Sequence, residues 1–327
     1  MRSTRLNLAL ESGLVAVPDG VIAVYGPDGS EDLHAFPRDQ VVAVTSDYLL
    51  TQSLTAQGFK VARSAPDAAL AVVCLPRAKA HAHAMLAEAA KAPMVLVDGA
   101  KTDGIEPLYK DLSKRVDVTE ALSKAHGRVF AFPGTEALTE WAAQDITLPD
   151  GFTTRPGVFS ADGPDPASVL LAQALPERMP GYGVDLGAGW GYLARAVLSR
   201  KSVKRLDLVE TDANALDCAR LNIQDERARF IWGDATKHRS DGYADFVVCN
   251  PPFHRGRQAD PALGIAFIAA AAGMLAREGE AWFVANRTLP YGDAFRSHFS
   301  TVTELPGTNA YRLIRATHPL RARKAGA

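Results

Sequence analysis

A short apolar run ends in two prolines at Phe246-Val247-Val248-Cys249-Asn250-Pro251-Pro252-Phe253. The run predicts a buried strand. Pro251 and Pro252 end it in a sharp turn, because a proline ring fixes φ and removes an N–H donor. Ligands of open α/β sheets bind beyond the carboxyl ends of the strands. The turn therefore predicts a site where an amide, two prolines and an aromatic ring are presented together.

The residues of this turn suit a planar amino group. The side-chain oxygen of Asn250 and the carbonyl of Pro251 are both hydrogen-bond acceptors. Together they can hold the two hydrogens of an –NH₂ group while Phe253 stacks on the ring that carries it. We therefore predict an enzyme that methylates an exocyclic amine, with Asn250, Pro251, Pro252 and Phe253 as its catalytic residues.

Length and composition predict a soluble two-domain protein. The chain has 327 residues, which is long for one core, and 47% of them are hydrophobic and 22% charged. The net charge of -1 means that any nucleic-acid site has to be a local basic patch. The three cysteines, Cys74, Cys218 and Cys249, lack metal-ligand spacing and are expected to be reduced core thiols. No metal site is expected.

Neither a secretory signal nor a membrane span is expected. Residues 1–13 lack the continuous apolar region of a signal peptide. The most apolar segment, residues 265–275, is too short to cross a bilayer. The expected location is the cytoplasm.

Strand and helix patterns alternate in both halves of the chain, which predicts βαβ units and a largely parallel sheet. In the first half the predicted strands are 21–25, 41–44, 69–74 and 94–97, and the predicted helices are 47–57 and 78–91. In the second half the predicted strands are 183–186, 206–209, 229–232, 246–249 and 281–285, the predicted helices are 168–175, 192–200, 213–224 and 262–277, and the predicted hairpin joins 302–305 to 311–316. Prolines and glycines cluster in 148–166 and predict a linker, which divides the chain into domains 1–148 and 149–327.

One segment of the first half repeats in the second. Val72–Arg77 stands in the first half where Val247–Pro252 stands in the second, and each is followed by an alanine-rich helix and an apolar strand. Leu75 replaces Asn250, and the early strand 41–44 leads into a turn without a glycine cluster. The repeat predicts a duplicated domain whose first copy has lost the chemistry. The alternative is a chance similarity of short apolar runs.

A glycine-rich segment, Asp185-Leu186-Gly187-Ala188-Gly189-Trp190-Gly191, follows one predicted strand and opens a helix. The dinucleotide fingerprint G-x-G-x-x-G fails at Tyr192. Three glycines after an acidic residue suit S-adenosyl-L-methionine instead. Gly187, Ala188, Gly189 and Gly191 are the predicted binding turn, and Asp185 is expected near the cationic methionyl part. The alternative is a glycine-rich turn that binds no ligand.

Acidic residues at the ends of the next two strands are further candidates for cofactor binding. Glu210 can accept hydrogen bonds from both ribose hydroxyls, whereas Asp212 is better suited to capping the following helix. Asp234 can accept from the adenine amino group while Ala235 supplies a backbone amide. Asp234 is equally well explained as a turn residue.

The second half resembles the two-domain ribosomal RNA guanine-N2 methyltransferases that modify the small subunit. The matching stretches are Pro156–Ser160, Asp185–Gly191, Asn250–His254, Val284–Arg287 and Leu289–Tyr291. The NPPF motif alone is less specific, because related NPPY motifs serve glutamine and adenine methylation. A departure is Arg255, where an acidic or small residue is expected, and it leaves the substrate contacts open.

This resemblance implies an α/β protein of two tandem Rossmann-like class I methyltransferase domains. The first domain would be degenerate, with a role in RNA binding or stabilisation, and the second would hold a seven-stranded mixed sheet. The implied donor is S-adenosyl-L-methionine, and the implied acceptor is a guanine N2 amine in 16S ribosomal RNA. Phe159 and Asn250 would lie near the cofactor.

The expected partner is ribosomal RNA or the small ribosomal subunit. The candidate RNA contacts are His254, Arg255, Arg257, Arg287 and the basic tail 321–324, although each charge also suits a solvated surface. Three other functions remain open, namely methylation of large-subunit 23S RNA, methylation of protein glutamine or adenine, and a non-enzymatic role as an RNA-binding assembly factor. The sequence predicts no oligomeric state.

Overall fold

The computed structural model describes residues 2–29, 32–179, 181–252, 254–255 and 258–320, with the backbone alone at residues 254, 255, 258 and 259. The chain divides into two units. Unit 1 comprises Met1–Ile146 and Arg155–Gly157, and unit 2 comprises Thr147–Thr154 and Val158–Ala327.

Unit 1 is built on a seven-stranded sheet with the order β3-β2-β1-β4-β5-β7-β6. Its helices and strands are α1 (Arg2–Glu11), β1 (Ile22–Tyr25), β2 (Val41–Val44), α2 (Tyr48–Ala56), β3 (Lys60–Ala62), β4 (Leu70–Cys74), α3 (Lys79–Ala89), β5 (Met94–Ala100), α4 (Ile105–Leu112), β6 (Leu122–Lys124) and β7 (Gly127–Pro133). The first five strands pair in parallel, and β7 runs antiparallel to β5 and β6.

Unit 2 repeats this topology in a sheet with the order β12-β11-β10-β13-β16-β18-β17. The remaining helices and strands of the chain are β8 (Ile146–Thr147), β9 (Thr153–Thr154), α5 (Pro166–Ala174), β10 (Gly181–Leu186), α6 (Tyr192–Leu198), β11 (Val203–Glu210), α7 (Ala213–Asn222), β12 (Ala228–Trp232), β13 (Ala244–Cys249), β14 (His254–Arg255), β15 (Gln258–Ala259), α8 (Pro261–Met274), β16 (Leu275–Asn286), α9 (Gly292–His298), β17 (Phe299–Leu305) and β18 (Tyr311–Pro319). Only β18 breaks the parallel order, since it runs antiparallel to β16 and β17. The predicted α/β fold with a seven-stranded mixed sheet is confirmed.

The central strand β13 shows how unit 2 buries both faces of its sheet. Val247 and Cys249 pack with Phe267 and other residues of the α8 side. Phe246 and Val248 face the opposite way and pack with residues of α5 and α6. Each such side chain contributes about 1.5–3 kcal/mol when it is fully buried. This two-sided burial fixes β13 next to β10, so the two strand ends lie side by side.

Several predicted helix limits differ from the structure by one to three residues, and two of these differences have a clear local cause. Helix α5 begins at Pro166 rather than at 168, because the side chain of Asp165 caps it by accepting from the N–H of Ser168. Helix α8 ends at Met274 rather than at 277, and β16 begins at Leu275 instead of at 281. Leu275 pairs with Ala244 at the start of β13, which takes it out of the helix.

Strands β4 and β13 hold the same position in the two sheets. Leu75 follows β4 and Asn250 follows β13, which agrees with the predicted repeat. The prediction that strand 41–44 corresponds to the strand before the glycine-rich turn, however, is wrong. The counterpart of β10 is β1 rather than β2, and β1 leads into Gly26, which has φ +59°. The first copy therefore has a glycine at this turn.

Unit 1 fills the region around that turn with its own side chains. A Cβ on Gly26 would lie 2.8 Å from the Cε of Met85. The Arg2 guanidinium forms ion pairs with Asp28 at 2.7 Å, with Asp32 at 2.7 Å and with Asp98 at 3.0 Å. This region of unit 1 is therefore packed with residues of the chain itself.

All three cysteines are buried, and no two of them form a disulfide. No helix among the described residues is long and apolar enough to cross a membrane. The same described ranges contain no group of three histidine, cysteine or acidic residues arranged to hold a metal ion.

Candidate active site

The glycine-rich turn connects β10 to α6 with a backbone that other residues rarely adopt. Gly187, Gly189 and Gly191 have φ values of +75°, +54° and +93°. A Cβ at Gly191 would lie 2.8 Å from the Cδ1 of Ile223, whereas a Cβ at Gly189 would meet nothing within 4 Å. The turn thus packs tightly against α7 at its end and leaves open space at its centre.

That open space belongs to a solvent-facing cleft. The residues lining the cleft are Phe159, Ser160, Asp165, Ser168, Gly187, Ala188, Gly189, Trp190, Tyr192, Leu193 and Asn250. The structure therefore brings together five predicted site residues, namely Phe159, Gly187, Ala188, Gly189 and Asn250.

Asp185 lies next to the turn on β10 and is fully buried. Neither of its carboxylate oxygens has a hydrogen-bond partner among the described residues. Burial raises the pKa of this carboxyl to about 8, and the charge of Glu210 adds to the rise. The backbone N–H of Ala194 points toward the carboxyl and lowers its pKa in part, but it does not form a hydrogen bond with either oxygen. An unpaired buried carboxylate of this kind fits a cationic ligand, which would favour its charged form.

Glu210 ends β11 and holds the glycine turn in place. Its Oε2 accepts from the N–H of Gly189 at 2.8 Å, and its Oε1 accepts from the N–H of Asp212 at 2.9 Å. Burial raises the pKa of Glu210, although these two hydrogen bonds oppose the rise. Further lone pairs of the carboxylate can accept from a ligand, and the ribose contact stays a prediction. Asp212 caps α7, as predicted, by accepting from the N–H of Asn214 at 2.9 Å.

Asp234 and Ala235 lie outside the lining of the described cleft. The Oδ1 of Asp234 accepts from the N–H of Thr236 at 2.9 Å and from its hydroxyl at 2.6 Å. Ala235 is buried in the hydrophobic core. These contacts match the turn interpretation of Asp234, and the predicted adenine contact stays a prediction.

Asn250 reaches the cleft because β13 pairs with β10 through Cys249 and Leu186. Its Nδ2 donates to the Oδ2 of Asp165 and to the Oγ of Ser168, both at 2.9 Å. This contact was not predicted from the sequence. The available signal was Asp165 before Pro166 with Ser168 three residues on, a pattern typical of a helix start.

Phe159 is 61% exposed, although it is a large hydrophobic residue. Its carbonyl accepts from the Nε1 of Trp190 at 2.9 Å, which ties it to the glycine turn. Asn222 in turn donates to the carbonyl of Trp190 at 2.8 Å. Trp190 and Asn222 are therefore further residues that shape the site, and no local sequence pattern indicates their contacts.

The remaining predicted residues are only partly described. Pro251 is buried and Pro252 is exposed. Phe253, Arg257 and the tail 321–324 lie outside the described residues. His254 and Arg255 form the backbone of β14, and their side chains also lie outside the description.

Arg287 is not brought to the cleft. Its guanidinium donates to the Thr308 carbonyl at 2.7 Å and to Glu304 at 2.9 Å, within the β17–β18 hairpin region. Its contact with RNA stays a prediction.

Comparison with known proteins agrees with this geometry. Residues 150–315 match the family model of the methyltransferase small domain. The fold of unit 2 and this match define an α/β methyltransferase.

Two curated relatives identify the specific methyltransferase family. The chain is 30% identical over 234 residues to the ribosomal RNA small subunit methyltransferase C of Idiomarina loihiensis, covering 67% of this chain and 69% of the relative. It is 31% identical over 258 residues to the protein of the same name from Shewanella halifaxensis, covering 74% and 75%. The chain belongs to this family of ribosomal RNA small subunit methyltransferases C.

A solved structure shares the fold of both units. It is described as the T. thermophilus 16S rRNA N2 G1207 methyltransferase (RsmC) in complex with AdoMet and guanosine. The TM-score is 0.79 at 24% sequence identity, and the match covers 96% of this chain and 91% of that chain.

Proposed function

We propose that the protein transfers a methyl group from S-adenosyl-L-methionine to the N2 amine of a guanine in 16S ribosomal RNA. The carrying observation is that Asn250 lines the same cleft as Gly187, Ala188 and Gly189. An acceptor of amine hydrogens and a binding turn for the donor thus share one space. The names of the relatives support the choice of a small-subunit RNA substrate.

The glycine turn forms the donor-binding side of the cleft, with Asp185 buried next to it on β10 and Glu210 bonded to the N–H of Gly189. Open space over Gly189 lets a ligand lie against the backbone, and the unpaired carboxylate of Asp185 suits the positive charge of the donor. The donor supplies a methyl group on a positively charged sulfur. Phe159, exposed at the cleft, offers an aromatic surface beside it.

The acceptor side consists of Asn250 and the turn that follows it. The guanine amine is a poor nucleophile because its lone pair is delocalised into the ring. Hydrogen bonds from the amine to the Asn250 oxygen and to the Pro251 carbonyl aim the lone pair at the methyl carbon. The nitrogen bonds to that carbon as the carbon–sulfur bond breaks, and a proton then leaves the nitrogen for water. Catalysis therefore rests on positioning and electrostatics.

The target base has to leave its stack to reach the cleft. Unstacking costs a few kcal/mol and is partly offset by stacking on an aromatic side chain. We assign that stacking to Phe253, and contacts with the RNA chain to His254, Arg255, Arg257 and Arg287.

Residues 1–148, which include most of unit 1, are proposed to be a degenerate copy that binds RNA or stabilises the catalytic part, residues 149–327. Two observations support this proposal. Leu75 cannot accept an amine hydrogen where Asn250 can, and Met85 packs within 2.8 Å of a Cβ position on Gly26. The proposed partner, ribosomal RNA or the small ribosomal subunit, places the activity in the cytoplasm.

The test is methyl transfer from labelled S-adenosylmethionine to purified 16S RNA, 23S RNA and small ribosomal subunits. Nucleoside analysis of the labelled RNA is expected to yield N2-methylguanosine from the 16S substrate. Asn250→Ala is expected to fold, to keep its donor affinity and to lose about 100-fold or more in rate. Asn309→Ala, an exposed change in the β17–β18 turn, is the control and should keep the wild-type rate.

Three outcomes contradict the proposal. Label in protein or in adenine would assign a different acceptor. Label in 23S RNA alone would assign the other subunit. A wild-type rate for Asn250→Ala would remove this residue from the mechanism.

A further inference from the structure

The two hydrogen bonds of the Asn250 side chain define which end of its amide faces the cleft. Its Nδ2 lies 2.9 Å from the Oδ2 of Asp165 and 2.9 Å from the Oγ of Ser168. Both hydrogens of the amide nitrogen therefore have acceptors on α5. No residue in the described part of the chain donates a hydrogen bond to the Oδ1 of Asn250.

The charge of Asp165 makes this orientation the favoured one. An ionised carboxylate can only accept hydrogen bonds, so the flipped amide would set two acceptors against each other. The same Oδ2 caps α5 by accepting from the N–H of Ser168 at 2.9 Å. This cap hydrogen bond at the start of α5 holds the Asp165 side chain in place beside Asn250.

The positions of Asp165 and Ser168 suit this task. Asp165 is the N-cap and Ser168 the third residue of the nine-residue helix α5, so both project from one helix end. Ser168 is buried, and both residues line the cleft beside Asn250. The helix is anchored through Ala167 and Leu171, which pack in the core between α5 and α6.

We propose that Asp165 and Ser168 are positioning residues that hold the Asn250 amide with its oxygen toward the substrate amine. The inference rests on the proposed function, since it requires Asn250 to accept from that amine. In this proposal Asp165 and Ser168 take no direct part in methyl transfer, although both line the cleft. Their effect on the reaction passes through Asn250 alone.

A double-mutant cycle tests this dependence. Ser168→Ala is expected to lower kcat about tenfold, the equivalent of about 1.4 kcal/mol, with the KM for S-adenosylmethionine unchanged. Asp165→Ser keeps an N-cap residue but shortens its reach, and it is expected to lower kcat by a similar factor. In an Asn250→Ala background, measured in single turnovers with excess enzyme, Ser168→Ala is expected to have no further effect.

Two control variants separate positioning from general stability. Ser199→Ala removes a serine hydroxyl that donates to the carbonyl of Ala196 at the end of α6. Asp47→Ser makes the same N-cap change on α2, where Asp47 accepts from the N–H of Leu50 at 2.7 Å. Both variants are expected to keep the wild-type kcat.

Side-chain amide NMR gives a readout that does not need activity. The resonance pair of the Asn250 amide is identified by its loss in Asn250→Ala. In the wild type these protons are expected to exchange slowly, and in Ser168→Ala and Asp165→Ser they are expected to shift toward the values of a solvated asparagine amide.

The outcomes distinguish the two proposals. Two results would overturn the positioning role and leave the proposed function standing, provided that Asn250→Ala keeps only a small residual rate. In the first, Ser168→Ala lowers the rate by the same factor in the wild-type and Asn250→Ala backgrounds. In the second, Ser168→Ala leaves both kcat and the amide resonances unchanged. If the wild-type protein transfers no methyl group to guanine, both are overturned.

Discussion

Two aspartates on neighbouring strands of unit 2 have opposite pKa shifts. Asp185 on β10 lacks hydrogen-bond partners in the described chain, and burial raises its pKa to about 8. Burial also acts on Asp207 on β11, but it is outweighed by the nearby His238 ring, 3.8 Å away, and by hydrogen bonds from Arg205 and Tyr182, which lower the pKa to about 2. Asp185, which lies next to the glycine turn, therefore favours its protonated form below about pH 8.

The raised pKa of Asp185 predicts pH-dependent binding of the donor. Ionisation of the carboxyl, which a cationic ligand requires, increases as pH rises through about 8. The affinity for S-adenosylmethionine is expected to increase about tenfold between pH 6.5 and pH 8.5. Asp185→Asn should bind more weakly at pH 8.5 and lose most of this dependence. Calorimetric titration over this pH range measures both, and parallel pH profiles for the two proteins would contradict the assignment.

The same shift predicts a gain in stability for Asp185→Asn. Between its unfolded pKa near 4 and its folded pKa of about 8, the folded protein binds more protons than the unfolded one, so stability falls as pH rises through this window. At pH 8 the variant without donor is expected to melt at least about 3 °C above the wild type.

Asp207→Asn is the matched control with the opposite sign. The lowered pKa of Asp207 contributes stability above pH 4 that is lost as pH falls toward about 2. Its removal should lower Tm at pH 7. If Asp185→Asn and Asp207→Asn changed the melting temperature in the same direction, the contacts of these carboxyls would not set their pKa values.

Site residues within a local strand, turn and helix pattern could be predicted from the sequence. Site residues defined by contacts with distant parts of the chain could not. Asn250 and the three glycines stand out because strand, turn and helix patterns surround them. The contacts of Asp165 and Ser168 with Asn250 span 85 and 82 residues. Such pairs are set by the packing of α5 against the sheet, which leaves no local pattern.

The glycine turn gives a prediction about the start of α6. Gly191→Ala places a Cβ 2.8 Å from Ile223 on a backbone with φ +93°. The left-handed conformation and the overpacking together are expected to destabilise unit 2 by about 2–4 kcal/mol and to weaken donor binding. Denaturant unfolding and calorimetric titration measure the two effects.

Gly273→Ala is the control for this substitution. Gly273 lies inside α8, and a Cβ there meets nothing within 4 Å. The alanine should stabilise the helix by about 0.5–1 kcal/mol and leave donor affinity unchanged. If both variants lost similar amounts of stability and donor affinity, neither the left-handed backbone nor the limited space at residue 191 would explain the effect of Gly191→Ala.

The boundary between α8 and β16 shows where local patterns fail. Residues 275–280 contain good helix formers, so the sequence predicted a helix to 277. The structure instead shifts register between Ala244 and Phe246, which pair with Leu275 and Glu280. Gly279 permits this because a Cβ there would lie 3.1 Å from the Ala244 carbonyl and 2.9 Å from the Leu275 side chain. Strand pairing therefore overrides helix propensity.

Each unit has its own sheet and its own core clusters, which predicts separable stabilities. Arg5 and Asp98 form a buried ion pair in unit 1, with an Nε–Oδ1 distance of 2.5 Å. Arg5→Met leaves part of a buried carboxylate unpaired and is expected to cost unit 1 about 3–5 kcal/mol. Donor affinity, which belongs to unit 2, should stay within twofold of the wild type.

Scanning calorimetry and donor titration at 20 °C test this separation. Arg315→Ala is the control, because its ion pair with Glu280 is partly exposed and worth about 1 kcal/mol or less. A fall in donor affinity in step with the loss of stability in Arg5→Met would show that the two units fold as one.

The duplication was predictable in outline because Leu75 and Asn250 follow equivalent strands. Its detail was not, because the counterpart of β10 cannot be recognised until the strand order is known. Strand β1 precedes β2 in the chain, but in the sheet it lies between β2 and β4. The sequence order alone therefore matched the glycine turn with the wrong segment.

Two copies of one strand order in a single polypeptide carry a hazard during synthesis, since neighbouring copies can exchange strands and misassemble. The buried Arg5–Asp98 ion pair in unit 1 is expected to disfavour such an exchange. Asp98 is opposite Cys74, and at the matching position of unit 2 Phe283 is opposite Cys249. A β5 strand inserted into the wrong sheet would bury a carboxylate with no arginine beside it, which costs several kcal/mol. We expect the Arg5–Asp98 pair to direct each strand to its own copy.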